Sequence, residues 1–288
     1  MKKINLIYWN EANYGDALSP QLVKELTGIP VQYKDFTMTR NERLRTLLGL
    51  QPAKRKSLIL PHHRIFGAVG SIMPWLPKGT RVWGSGLMNH HDQFRGGKVY
   101  AVRGKLTERK LVEQGIPACG VYGDPALLLP LWLEGAVQKD VKIGIIPHWK
   151  EVDFFKEKYG DRHTIIDFRT RDVVGTTYDI TRCAYILSSS LHGLIVAHAY
   201  GIPALWIKHG YIDTDGFKFQ DYFSSVDIPA YDGFTDFDAI LNDESDWRQL
   251  FEVNPSLSGI NNSLAALQKN LLAAAPFPLR DTYKKYTF

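Results

Sequence analysis

"ILSSSLHGLIVAHAYGIPALWI", residues 186–207, decides how the chain is read. Three serines and a histidine interrupt an otherwise apolar stretch, which resumes at helical spacing and stops at Gly201-Ile202-Pro203. An apolar run of strand length up to Leu187 therefore hands over, at Ser188, to a helix buried on most sides. Serines at a helix start cap open backbone N–H groups. Those donors and the helix dipole also suit an anion, which makes Ser189 and Ser190 candidate binding residues. His192, in the first turn, faces the same anion and is the candidate catalytic group. His198, near the opposite face, is expected to be a satisfied core histidine.

The same strand–polar turn–helix hand-over recurs outward in both directions. "INLIYW" (4–9) is a strand meeting the turn-rich "NEANYGDALSP", and "QLVKELTG" has helical spacing and a stop at Gly28. "RVWGSGL" (81–87) is a strand meeting a Gly-Ser-Gly turn, and "KVYAVRGKLTERKLVEQG" (98–115) is strand, sharp turn and helix. After the linker-like "LEGAVQKD" (133–140), strands recur at "VKIGIIPHW", "HTIIDF", "CAYILSS" and "PALWI", and a striped helix is expected over 256–276. Strands alternating with helices give parallel sheets covered by helices. The expected architecture is α/β: two Rossmann-like domains, 1–135 and 140–288, facing a cleft. Ligands in such sheets bind beyond the carboxyl ends of the strands, where every polar turn above lies.

Composition limits what such a chain can be. Of its 288 residues 44% are hydrophobic and 23% charged, ordinary values for a globular protein. No apolar run reaches the roughly 18 residues of a membrane span, and the N-terminal apolar run is too short for a signal peptide. Cys119 and Cys183 are too few for a disulfide framework or a zinc site, so a cytoplasmic protein is expected. The net charge of +5 hides an asymmetry: residues 1–135 hold 19 Lys and Arg against 10 Asp and Glu, and the remainder 16 against 20. A basic half suits anionic partners.

The motifs narrow the chemistry. "VRGKLTERK" brings Arg103 and Lys105 to a strand end and a helix start, where a guanidinium fork fits phosphate or carboxylate. "NYGD" (Asn13, Gly15, Asp16) and "GSGL" (Gly84, Ser85, Gly86) are glycine turns that let a ligand approach the backbone. Neither completes G-x-G-x-x-G, and G-x-x-x-x-G-K-[ST] is absent. No G-x-S-x-G elbow marks an α/β-hydrolase. No pattern marks a metal site, and none is expected.

The ordered set "NYGDALSP", "VWGSGL", "VRGKLTERKL", "YGDPALLLP", "IGIIPHW", "SSSLHGLIVAHAYGIPA" and "KFQDYF" resembles the polysaccharide pyruvyl transferase family of bacterial exopolysaccharide and cell-wall pathways. The resemblance runs from about Asn13 to Phe223. It implies a fold similar to the B-type glycosyltransferases, and transfer of the enolpyruvyl carbons of phosphoenolpyruvate onto two hydroxyls of a sugar. The product is a pyruvate ketal, with phosphate released and no cofactor. His192 matches the family's essential histidine and Arg103 the arginine of its turn. In that chemistry His192 is the general acid, with a pKa in the useful range. Arg103, with Lys218 from "KFQD", holds phosphate or carboxylate, and His148 of "IPHW" adds a donor. The acceptors implied are sugars, carried on lipid in some pathways.

Two other readings share these residues. A B-type glycosyltransferase using a nucleotide sugar has the same fold and a cleft histidine. A non-catalytic polysaccharide- or nucleic-acid-binding module uses the basic half, but aromatic residues are not interleaved with the basic run as single-strand binding favours, so no nucleic acid partner is expected. One segment belongs to none of these. "RNERLRTLLGLQPAKRKSLILPHHR" (40–64) holds seven Lys and Arg against one Glu, with Leu44, Leu47, Leu48 and Leu50 among them. It reads either as a basic amphipathic helix that meets an anionic acceptor or the inner face of a membrane, or as a solvated loop whose leucines pack on the first domain.

Overall fold

The computed structural model describes residues 3–136 and 138–287. Two parallel sheets carry the chain. In the first, β1 (Ile4–Ile7), β2 (Val31–Tyr33), β3 (Ile65–Gly67), β4 (Thr80–Trp83) and β5 (Gly97–Ala101) lie in the order β2-β1-β3-β4-β5. In the second, β6 (Val141–Ile146), β7 (Thr164–Ile165), β8 (Cys183–Ser188) and β9 (Ala204–Trp206) lie in the order β7-β6-β8-β9. Every strand pair is parallel. Parallel strands need crossovers, and helices on both sheet faces supply them.

Successive side chains of β8 show why these strands are apolar on both faces. Ile186 joins Ala204 in the core that runs between the two sheets, whereas Leu187 joins Leu205, Phe155, Trp247 and Phe251 on the opposite side. The first sheet likewise buries Leu6 and Trp83 inward, and Ile7, Ile65 and Val82 on its outer side. The inner core is continuous from Ile4 through Phe168 and Ile195 to Leu272, so the two sheets share one apolar interior.

Helices α1 (Tyr14–Thr27), α2 (Arg40–Leu47) and α3 (Lys105–Glu113) follow strands of the first sheet. Helices α4 (Val152–Tyr159), α5 (Val173–Thr181) and α6 (Leu191–Ala199) follow strands of the second. Beyond them come α7 (Phe217–Ser225), α8 (Phe237–Ile240), α9 (Glu244–Val253), α10 (Leu264–Ala273) and α11 (Asp281–Lys284). α1 starts earlier than its apolar spacing predicts: Asn13 caps it, so "NYGD" is its first turn, and Gly28 ends it at φ 68°. The helix expected over 256–276 is shorter than that, α10 being preceded by a 3-10 turn at Pro255–Leu257.

The end of the chain returns to the first sheet. The Trp83 indole donates to the Leu271 carbonyl at 2.9 Å, Phe277 lies edge-on to both Phe66 and Trp83, and Arg280 and Tyr283 meet Glu25 of α1. No helix among the described residues is long and apolar enough to cross a membrane.

Candidate functional site

Two helix starts meet where the carboxyl ends of the two sheets approach each other. Asn13 opens α1, its side-chain oxygen accepting the Gly15 N–H at 3.0 Å and the Asp16 N–H at 3.4 Å. α6 opens at Ser190, which makes no capping bond. The His192 ring lies so close to Gly15 that a Cβ there would sit 2.2 Å from Nδ1. Gly15 thus admits the imidazole, where the sequence had offered a glycine for a ligand's approach.

On its other side His192 faces Asp124, which the sequence reading left without a role. Asp124 is fully buried and caps the 3-10 turn Pro125–Leu131, its Oδ1 accepting the Ala126 N–H at 2.9 Å. Its Oδ2 lies 3.9 Å from His192 Nε2, too far for a hydrogen bond. Both atoms are buried and neither has a partner among the described residues. The signal was present in "YGDPALLLP", as an acid opening a turn, but nothing local says which histidine it will face.

Electrostatics makes this pair unusual. Burial, and then the charges of Lys218 and Arg103, push His192 down to about 3. Burial pushes the Asp124 carboxyl up to about 6, against the Ala126 N–H and Arg103. His192 is therefore neutral near pH 7, not poised as the expected general acid, and the contact is an ion pair only if the ring gains a proton. Lys218 is the shared neighbour. Burial and Arg103 push its ammonium down to about 8, while Asp213, Glu151 and Asp16 oppose this through space. Burial holds Asp16 up at about 7 despite Lys218, and burial with Lys218 holds His148 down at about 3.

Arg103 is not where an anion can reach it. It is fully buried, donating from Nε to Asp221 at 3.0 Å, from Nη1 to Ser71 and from Nη2 to the Leu87 carbonyl. Asp221 also accepts the Thr107 N–H and hydroxyl, each at 2.7 Å, and so caps α3, whose own cap is Gly104. The fork is thus spent on tying α3 to α7, and only its charge reaches His192. Lys105 pairs with Asp227 at the surface.

The "GSGL" turn serves that clamp, not a ligand. A Cβ on Gly86 would lie 2.6 Å from the Arg103 guanidinium, and one on Gly84, at φ 82°, would lie 2.3 Å from Pro125. Ser85 is buried, donating to the Gly70 carbonyl.

The serines are also mostly internal. The Ser188 hydroxyl accepts the Ser190 N–H and bonds the Ile146 carbonyl. Ser189 accepts the His148 N–H and donates to Glu151, a buried acid the sequence reading missed, which also accepts the Gly210 N–H. Ser189 is therefore a strut, and Ser190 alone stays at the open end of α6. His198 is the expected core histidine, bonded to the Tyr222 hydroxyl and the Ala204 carbonyl at 3.0 Å each. No group of three or more His, Cys, Asp or Glu among the described residues could hold a metal ion.

Comparison with known proteins meets this geometry in its middle. Residues 91–211, which carry Asp124, His148 and His192, match the model of the polysaccharide pyruvyl transferase family, a family of enzymes. The family read from the motifs is the family matched. Over 179 residues, 58% of the chain, it is 34% identical to an uncharacterized protein of Acanthamoeba polyphaga mimivirus, and it spans 61% of that relative's length.

Proposed function

We propose that the protein is a pyruvyl transferase of polysaccharide synthesis that uses phosphoenolpyruvate and leaves a pyruvate ketal on a sugar. The observation that carries this reading is the largely buried imidazole of His192 set between Gly15 and Asp124, with Lys218 near enough to lower its proton affinity, at the uncapped start of α6. Uncapped N–H groups and a buried ammonium suit a compact dianion. The two sheets are read as two domains, 1–135 and 140–288, with the donor between them in the manner of the B-type glycosyltransferases.

The low proton affinity of His192 has a place in this reaction. Phosphate and carboxylate brought beside Lys218 offset the two cations that strip the ring of its proton. The His192–Asp124 pair then takes up a proton, with Asp124 fixing Nε2 and Nδ1 left on the Gly15 side to exchange it. Proton transfer from Nδ1 makes the donor's methylene carbon a methyl and leaves C2 electron-poor. One sugar hydroxyl adds to C2, the C2–O bond to phosphate breaks, and a second hydroxyl closes the ketal. Of the two hydroxyl protons one restores the imidazole and the other leaves with phosphate. The scheme calls on no metal or redox group. Lys218, with Arg103 behind it, stabilises the departing charge. The donor is a metabolite of the cytoplasm, where we place the enzyme.

The test is thermal and chemical. Phosphoenolpyruvate, not a nucleoside diphosphate, raises the melting temperature, and phosphate is released from it when the right sugar is present. Stabilisation by the nucleotide alone would overturn the reading in favour of a nucleotide-sugar glycosyltransferase. Proton uptake on donor binding, measured calorimetrically in buffers of different ionisation enthalpy, tests the role of His192 separately.

A further inference from the structure

The excursion between β2 and β3 leaves and re-enters the fold at one place. The Asp35 N–H donates to the Ser57 carbonyl at 2.9 Å, and the Lys34 ammonium donates to the carbonyls of Lys56 and Leu58 at 2.9 and 3.0 Å. With Phe36 packed edge-on to Trp9 and Met38 buried, residues 39–56 project from the carboxyl end of β2, the sheet edge from which α1 also starts. α2 is well made for an isolated piece, with a full capping box between Thr39 and Glu42. Yet its leucines do not pack on the first sheet: Leu44, Leu47, Leu48 and Leu50 are 55%, 54%, 66% and 63% exposed.

Four exposed leucines so close together are an unpartnered apolar patch. Leu44, Leu47 and Leu48 share one helix face by their i, i+3, i+4 spacing. Arg40, Arg43, Arg45, Arg55 and Lys56 are exposed around and between them. The single acid, Glu42, is neutralised by Lys54 at 2.7 Å and bonded to Thr39. The core of a protein–protein interface is depleted of charge, whereas here arginines sit within the apolar patch. That mixture fits a bilayer interface, where leucines enter the acyl boundary and long basic side chains snorkel to phosphate.

We infer that residues 40–56 dock the protein on an anionic lipid surface. Because this segment and the start of α1 rise from the same sheet edge, docking turns the His192 site toward the lipid. The inference stands on the patch alone and holds whichever group the site transfers.

Sedimentation of the full chain with vesicles tests it. The parent pellets with phosphatidylcholine–phosphatidylglycerol vesicles at low salt and is released at high salt; it does not pellet with phosphatidylcholine alone. Arg43→Gln with Arg45→Gln lowers the partition by about thirtyfold, at roughly 1 kcal/mol for each basic residue. Leu44→Ser with Leu48→Ser also lowers it, with an unchanged melting temperature because both side chains are exposed. Three results would overturn docking: no binding by the parent, binding unaffected by the leucine changes, or a parent dimer that the leucine changes dissolve.

Discussion

Gly15 shows how much of the site rests on an absent atom. A Cβ at this position would meet His192 Nδ1 at 2.2 Å and Cε1 at 2.8 Å, and the ring faces Asp124 on its far side. Gly15→Ala is therefore expected to displace the imidazole from its present seat and cover Nδ1, although alanine suits a helix first turn better than glycine. Turnover should fall by about 10²–10⁴-fold, the range of a lost acid–base group, matching His192→Ala, with the melting temperature little changed. Steady-state rates beside a melting curve decide it; an active Gly15→Ala enzyme would remove Nδ1 from the mechanism. Asp124→Asn is the complementary change, since Oδ1 can still accept the Ala126 N–H while the charge facing Nε2 is lost. If Asp124 positions and charges the ring, the pH–rate profile of this variant shifts as well as its height. A purely structural aspartate would change the height alone.

At the scale of elements, the clamp between α3 and α7 is where the expected role of Arg103 changes. Its guanidinium and the Asp221 carboxylate are both fully buried, with Nη2 to Oδ2 at 2.9 Å. Breaking a buried pair by removing one partner costs about 3–5 kcal/mol, because a desolvated charge is left behind. Asp221→Asn should lower the unfolding free energy by that order in denaturant titrations, and Arg103→Lys, which cannot fork to Ser71, Leu87 and Asp221 together, should lower it less. A change confined to the Michaelis constant for the donor would instead return Arg103 to the substrate. Sequence could not distinguish these outcomes, since "VRGK" shows an arginine at a strand end and its partner lies 118 residues away in "KFQD". Seven of the nine described strands and α6 were legible as apolar runs, and His192 because a polar interruption between such runs is conspicuous; β2 and β3, three residues each, were too short to stand out. Asp124, Glu151 and Asp221 were not, because each acts on a group far along the chain, and burial, which gives them their importance, has no local signature. The glycines at 84 and 86 were seen but misassigned for the same reason: a glycine marks a close approach without saying of what.

Across the whole molecule, burial of ionisable groups sets how stability follows pH, and the signs can be worked out. His148, His192 and His198 are held by burial at about 3, 3 and 4, from an ordinary value of 6.5, and His63 and His163 are lowered in the same sense. Between about pH 4 and 6.5 the unfolded chain therefore binds more protons at these histidines than the native one, and stability from them is lost as pH falls. Asp124 and Asp16 oppose this, being raised from 3.8 to about 6 and 7. Their native forms hold protons that the unfolded chain releases, so their contribution is full below 3.8 and disappears as pH rises through 6 to 7. Five histidines outweigh two carboxyls, and the unfolding free energy should fall steadily as pH is lowered from about 6.5 to 4. His192→Gln removes one of the protons that the unfolded chain takes up in this window. The slope of unfolding free energy against pH should then be shallower by about 1.4 kcal/mol per pH unit, the value of one proton at 25 °C. Denaturant titrations of parent and variant at several pH values across that window measure the difference. Parallel slopes would mean that the imidazole is not held neutral in the native protein, and the proton uptake assigned to donor binding would lose its basis.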